Sequence, residues 1–244
     1  MNTILETIDS PRDLKALSME ELGRLAAEIR AYILEVVSKN GGHLSANLGT
    51  VELTLALHRV FDTPSDKIVW DVGHQSYTHK IITGRRERFR SLRQRGGILG
   101  FPDREESPYD AYNTGHASTA LSAALGMAVA RDKKGEKNKI IAVVGDGSLT
   151  GGVSWEALNQ IGHLRTPLIV VLNDNEMSIS PSVGAISKYL GYLASGQHYL
   201  RIKDRAKGLL KSLPVLGWPI IRAGRGVEEL VKKVFFPGLV FEEL

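Results

Sequence analysis

Residues 140–175 read IIAVVGDGSLTGGVSWEALNQIGHLRTPLIVVLNDN, and the order of apolar and polar runs in this stretch decides the fold class. Ile140–Val144 and Leu168–Leu172 are apolar at every position, as parallel strands covered on both faces are. Between them, Gly151–His163 carries Trp155, Ala157, Leu158 and Ile161 and is long enough for the crossover helix of a βαβ unit. Each apolar run ends abruptly, the first in Gly145-Asp146-Gly147 and the second in Asn173-Asp174-Asn175.

Toward the N-terminus the same grammar continues. Ile68-Val69-Trp70 is a third short apolar run and ends at Asp71. Met19–Ser38 places Leu22, Leu25, Ala26, Ile29, Ile33, Val36 and Val37 at three- and four-residue steps, and Ser18 with Glu21 fits a capping box. After Gly41-Gly42, Thr50–Phe61 repeats the helical pattern until Pro64 stops it. These elements predict an α/β fold, a parallel sheet flanked by helices. Ligands of such sheets bind beyond the carboxyl ends of the strands, where Asp71, Asp146 and the 173–175 segment converge.

Composition narrows the chemistry. With 244 residues, 43% of them hydrophobic and 24% charged, the chain is long enough for one large domain with a substantial core. It contains no cysteine, which removes disulfides, thiolate nucleophiles and cysteine-ligated zinc and favours a cofactor. No apolar run is long enough to span a membrane, and MNTILETIDSPRDLK lacks the features of a secretory signal, so a cytoplasmic location is expected. The net charge of +4 comes mostly in short patches, Arg85–Arg95 and Lys203–Lys233, rather than in one aromatic-interleaved stripe. They are read as solvated faces or as steering for a phosphorylated ligand, and not as a nucleic-acid surface. From about 187 to 238, prolines and glycines break the apolar stretches into helical pieces, a lid or interface excursion within a single domain over 1–244. Pro214, Gly217 and Pro219 argue against a membrane-surface helix there.

Taken jointly, GDG and NDN at adjacent strand ends resemble the metal and diphosphate motif of thiamine diphosphate enzymes. A hard Mg²⁺ ion takes oxygen ligands, which Asp146 and Asn175 offer. Glycine at 147 permits close approach of backbone to phosphate, and the start of the crossover helix, with Ser148, would present amide donors. Gly115-His116-Ala117-Ser118-Thr119 opens a helix rich in small residues, whose first amides suit an anion; Ser118 and Thr119 serve equally well as simple caps. Asp71-Val72-Gly73-His74-Gln75, with His79-Lys80 and Thr83-Gly84-Arg85, resembles the pattern of the 1-deoxy-D-xylulose-5-phosphate synthases, where transketolases carry a different arrangement. Gly41-Gly42-His43-Leu44 and Gly49-Thr50-Val51-Glu52-Leu53 add to that resemblance, which runs over nearly the whole chain.

The resemblance implies thiamine diphosphate and Mg²⁺ as cofactors, with Asp146, Asn175 and the carbonyl of Met177 as metal ligands. It implies cofactor contacts from His74, Gly115, His116, Ala117, Gly147, Ser148 and Asn175, and it places His43 and His74 near the reacting atoms as catalytic candidates. A histidine suits proton transfer near neutral pH, although a histidine by itself is more often a hydrogen-bonded structural residue. His74 and His79 do not have the spacing of a helical zinc pair. The reaction implied is condensation of pyruvate with glyceraldehyde 3-phosphate with loss of CO₂, serving isoprenoid, thiamine and pyridoxal biosynthesis. The carboxylate that activates the cofactor's aminopyrimidine is implied to lie in a following domain; Glu52, in the GTVEL helix, is read as structural, and no motif assigns Glu156 to that role. The chain is accordingly expected to be the diphosphate-side part of a truncated or split enzyme, completed in a homodimer or by a pyrimidine-domain chain. A noncatalytic cofactor- or partner-binding chain and a transketolase-like half-subunit are the alternatives.

Overall fold

The computed structural model describes residues 3–173. Ser18 begins α1 (Met19–Asn40) with a complete capping box: its Oγ accepts from the Glu21 amide, and its own amide donates to the Glu21 carboxylate. The apolar stripe of α1 is buried as its spacing predicts, and Gly41 ends the helix at a positive φ of 74°. After the short helix α2 (Ser45–Leu48) come α3 (Val51–Val60), strand β1 (Lys67–Trp70) and the single turn α4 (Tyr77–Lys80). The chain continues through α5 (Ala120–Lys134), β2 (Ile140–Gly145), α6 (Gly152–Leu164) and β3 (Ile169–Asn173).

The three strands are parallel in the order β1-β2-β3, with Trp70 opposite Val143 and Gly145 opposite Asn173. Leu57 of α3 packs on a sheet face made by Ile68, Trp70, Ile141 and Val143. The small residues Ala120, Ala124 and Ala128 bury one side of α5, which packs against β2 and α6. A second core joins the N-terminal helices to Tyr77, Ile81, Ile82 and Phe89 downstream of β1. That core anchors the polypeptide emerging from β1.

One expectation fails. The run 168–172 reads as a strand covered on both faces, but Ile169, Val170 and Leu172 of β3 are 38%, 37% and 39% exposed. β3 is the terminal strand of the sheet formed by the described residues, so β2 shields it along one edge only. The excursion at 187–238 lies outside the described residues.

Candidate active site at the strand ends

β1 hands over to the site through a sharp turn. The Asp71 amide continues the sheet by donating to the Val143 carbonyl at 2.8 Å, and the Gly73 amide donates back to the Asp71 carbonyl at 2.6 Å. Val72 and Gly73 have φ of 59° and 84°. For β-branched Val72 this is a strained conformation, held because its surroundings are fixed. Gly73 has no alternative: a Cβ there would lie 2.5 Å from Pro102 Cδ and 2.6 Å from Thr114 Cγ2.

This turn delivers His74 to His43. Their rings lie 5.1 Å apart at 66°, and Phe101 stands 6.0 Å from His43 on another side. His74 Nδ1 is buried without a hydrogen-bond partner among the described residues. Burial, and then the neighbouring His43, pushes the His74 pKa down; burial, and then Arg93, does the same to His43. Two neutral imidazoles side by side, one with an unengaged ring nitrogen, can accept a proton from a bound molecule near neutral pH.

Asp71 has a different task from that expected. Its buried carboxylate accepts from the Ser118 amide at 2.9 Å and from the Ala120 amide at 3.0 Å. The N-terminus of α5, expected to be open to an anion, is thus partly satisfied by a carboxylate of the chain itself. Neither Ser118 nor Thr119 acts as a side-chain cap: Ser118 Oγ donates to the Ser148 carbonyl at 2.8 Å, and Thr119 Oγ1 donates to the His116 carbonyl at 3.1 Å. Gly115, His116 and Ala117, just upstream, are exposed.

The end of β2 is built differently. Gly145 stays in register with Asn173, and the backbone then enters a 3₁₀ turn, Asp146–Thr150. The crossover helix proper opens only at Gly152, so Ser148 belongs to this turn and not to the helix N-terminus. Ser148 is buried, and its carbonyl accepts from the hydroxyls of Ser118 and Ser154. Asp146 is half-buried and Gly147 exposed. Cβ atoms placed on Gly115, Gly147 or Gly152 would meet nothing within 4 Å.

The residues present fit a diphosphate and a hard cation in three respects. Asp146 brings a carboxylate to a strand end, the glycine positions are open, and His74 Nδ1 is a buried nitrogen awaiting a partner. Asn175 and Met177 lie outside the described residues. Among the described residues no group of three or more His, Cys, Asp or Glu side chains is arranged around one point.

Next to this site lies a polar cluster absent from the sequence reading. Reading its proton positions from the bonding pattern, the Thr63 hydroxyl donates to His58 Nδ1 at 2.9 Å, and His58 Nε2 donates to His79 Nδ1 at 2.8 Å. His79 Nε2 donates in turn to Asp110 at 2.8 Å, and Arg85 grips the same carboxylate with both terminal nitrogens. Lys80 pairs with Glu106 alongside. His58, His79, Lys80, Arg85 and Asp110 are all buried. Burial pushes both histidines down, His58 well below the usual imidazole value, and keeps them neutral. Burial by itself would raise Asp110, but hydrogen bonds from His79 and Arg85 outweigh it and hold the carboxyl well below the usual range.

Arg85 is therefore a correction: it belongs to the basic run read as solvated or steering, whereas only Arg88, Arg90, Arg93 and Arg95 of that run are exposed and Arg86 is half-buried. A sequence signal did exist, because His58 follows the buried Thr54 and Leu55 at helical spacing on α3. Of the glutamates, Glu52 forks onto Arg30 and Glu156 is exposed.

The family model described as 1-deoxy-D-xylulose-5-phosphate synthase matches residues 5–244. The 1-deoxy-D-xylulose-5-phosphate synthase 1 of Geobacter sulfurreducens is 55% identical over 244 residues, which is 100% of this chain and 38% of that protein. The synthase of Syntrophomonas wolfei is 57% identical over the same span and is likewise covered to 38%. The chain thus spans well under half the length of these relatives. A crystal structure of transketolase from Campylobacter jejuni matches with a TM-score of 0.62 at 24% identity, over 69% of this chain and 30% of that one. That likeness concerns the fold, a transketolase-like parallel sheet with flanking helices.

Proposed function

The chain belongs to the 1-deoxy-D-xylulose-5-phosphate synthase family, and we propose that it forms the diphosphate-side wall of a thiamine diphosphate site where pyruvate, losing CO₂, is joined to glyceraldehyde 3-phosphate. The observation that carries this reading is the register of Gly145 with Asn173, which sets the GDG segment beside the start of the NDN segment at one edge of the sheet. When bound, thiamine diphosphate supplies the electron sink for breaking and making the carbon–carbon bonds. Asp146, Asn175 and the Met177 carbonyl hold Mg²⁺ through oxygen, and Gly147 with the amides of the Asp146–Thr150 turn admits the diphosphate. Gly115, His116 and Ala117 line the cofactor from the α5 side. His43 and His74 handle protons at the reacting end, with His74 Nδ1 as the accepting atom.

The activating carboxylate is assigned to a pyrimidine-side domain outside this chain, supplied in a homodimer or by a complementing chain. In this reading the product feeds isoprenoid, thiamine and pyridoxal biosynthesis in the cytoplasm. No helix among the described residues is long and apolar enough to cross a membrane.

Calorimetric titration with thiamine diphosphate, with and without Mg²⁺, tests the binding half of the proposal. Asp146→Ala is expected to abolish the Mg²⁺-dependent binding, and unchanged affinity would overturn the metal assignment. Mixing the chain with the pyrimidine-side and C-terminal domains of a relative tests the chemistry. Pyruvate and glyceraldehyde 3-phosphate should then yield deoxyxylulose phosphate. Product formed only with ribose 5-phosphate as acceptor would point to transketolase chemistry, and cofactor binding without product would favour a noncatalytic chain.

A further inference from the structure

Asn47 is wholly buried in α2, between the two segments that carry His43 and His74. Its Nδ2 donates to the His43 carbonyl at 2.6 Å and to the His74 carbonyl at 2.7 Å, while its Oδ1 accepts from the Tyr77 amide at 2.8 Å. A carboxamide has two donor hydrogens, and both are used on these two residues. The loop closes a second time, because the His43 amide donates to Tyr77 Oη at 3.2 Å. A Cβ at Gly42 would lie 2.7 Å from that same oxygen, so the backbone just before His43 is seated against Tyr77 as well.

The two histidines come from separate parts of the chain, one from the loop ahead of α2 and the other from the turn after β1. Their rings meet 5.1 Å apart, and no hydrogen bond between the rings themselves holds that separation. The other groups that bear on them, Arg93 on His43 and Asp71 on His74, act on one ring each. Among the described residues, Asn47 alone reaches the backbone of both through one rigid plane. An amide fully spent on two such carbonyls transmits any displacement of one histidine to the other.

We propose that Asn47 is a positioning residue that sets the separation and mutual orientation of the His43 and His74 rings, with Tyr77 as its partner on the His43 side. The functional meaning of this role rests on the proton-handling assignment of the histidines; the geometry does not, and it can be tested on the 244-residue chain without cofactor. The experiment is NMR of the histidine rings in the wild type, Asn47→Ala and Tyr77→Phe, reading the ring-to-ring cross-peak and the titration midpoints, with a urea unfolding midpoint for each protein.

In Asn47→Ala the His43–His74 cross-peak is expected to disappear, and the His43 and His74 midpoints to move up toward the ordinary value of 6.5 as their burial relaxes and, for His74, as the repulsion from His43 weakens. Tyr77→Phe removes only the oxygen that accepts the His43 amide, so it should move His43 and leave His74. A lowered unfolding midpoint with an unchanged cross-peak and unchanged histidine midpoints would reduce Asn47 to a structural residue and overturn the inference. Should Asn47→Ala not fold, Tyr77→Phe decides, and an unmoved His43 counts against the inference. Failure of the cofactor reading shows separately, as absence of heat when the wild type is titrated with thiamine diphosphate and Mg²⁺.

Discussion

The carboxyl ends of β1 and β2 lie on adjacent strands, yet they are built on opposite principles. Beyond β1 the polar groups are spent inside the protein: Asp71 caps α5, Asn47 clamps the two histidine segments, and His79 and Arg85 saturate Asp110. Beyond β2 the chain turns at Asp146–Thr150, where a Cβ on Gly147 or Gly152 would meet open space although one on Gly151 would collide with Ser118 Oγ. The first region fixes its groups by hydrogen bonds before anything binds; the second leaves room at Gly147 and Gly152. For a site that must orient a ligand's reacting end while admitting its charged tail, this is the division electrostatic preorganisation calls for. Buried polar networks are costly unless complete, and the one beyond β1 still leaves Gln75 Oε1, Thr78 Oγ1 and Arg85 Nε without a partner among the described residues.

The contrast breaks most severely at Asp110. Asp110→Asn leaves the buried Arg85 and Lys80 to share the single carboxylate of Glu106 and should destabilise the chain by about 3–5 kcal/mol, measured by urea unfolding. The pH dependence of the wild type carries the same signature. His58 and His79 have folded pKa values below the ordinary 6.5, so the unfolded chain binds more protons as the pH falls. Their contribution is therefore present above pH 6.5 and is lost progressively below it. Asp110, held below its ordinary 3.8, contributes fully above that pH and loses its share only on further acidification, a loss Asp110→Asn should no longer show.

A smaller but still large effect is expected at Gly73. Adding one methyl group at φ 84° against Pro102 and Thr114 should cost about 2 kcal/mol or more and swing His74 away from His43. The corresponding Gly147→Ala meets nothing within 4 Å and should leave the unfolding midpoint nearly unchanged. Equal losses from the two substitutions would erase the distinction between the strand ends. At the bottom of the scale, Glu52→Gln breaks only a solvent-exposed ion pair with Arg30 and should shift stability by about 1 kcal/mol at most. A larger loss would mean that Glu52 has duties beyond that pair.

Much of this molecule was legible in the chain of residues because periodicity reports directly on burial. The stripe from Leu22 to Val37, the Ser18–Glu21 capping box and the apolar runs at 68–70 and 140–144 each correspond to the observed helix or strand. β3 was legible as a strand but not in its exposure, since apolar composition records what a segment can bury and not what lies over it. The extent of α6 was legible, but Ser148 was assigned to its N-terminus: GDGSLTGG marks a turn, and only the backbone geometry distinguishes a 3₁₀ turn from the first turn of the helix.

At the site, the spacing of GDG and NDN singled out Asp146 and Gly147 as candidate ligands, and the family resemblance singled out His43 and His74. Nothing comparable marks Asn47 or Asp110, and the family motif that contains Arg85 does not tell that its side chain turns inward. An asparagine in SANLG and an arginine in a basic run look the same whether solvated or buried, and their partners are distant in sequence. By itself, then, the sequence determined the strand–turn–helix–strand frame, the family pattern and the candidate ligands, since local periodicity and residue chemistry are properties of short segments. Only the tertiary structure decided that Asp71 caps α5, that Arg85 and His79 are buried on Asp110, and that Asn47 ties two histidines together. Each of those facts depends on which remote segments share a neighbourhood, and hydrogen-bond satisfaction among buried groups is settled there.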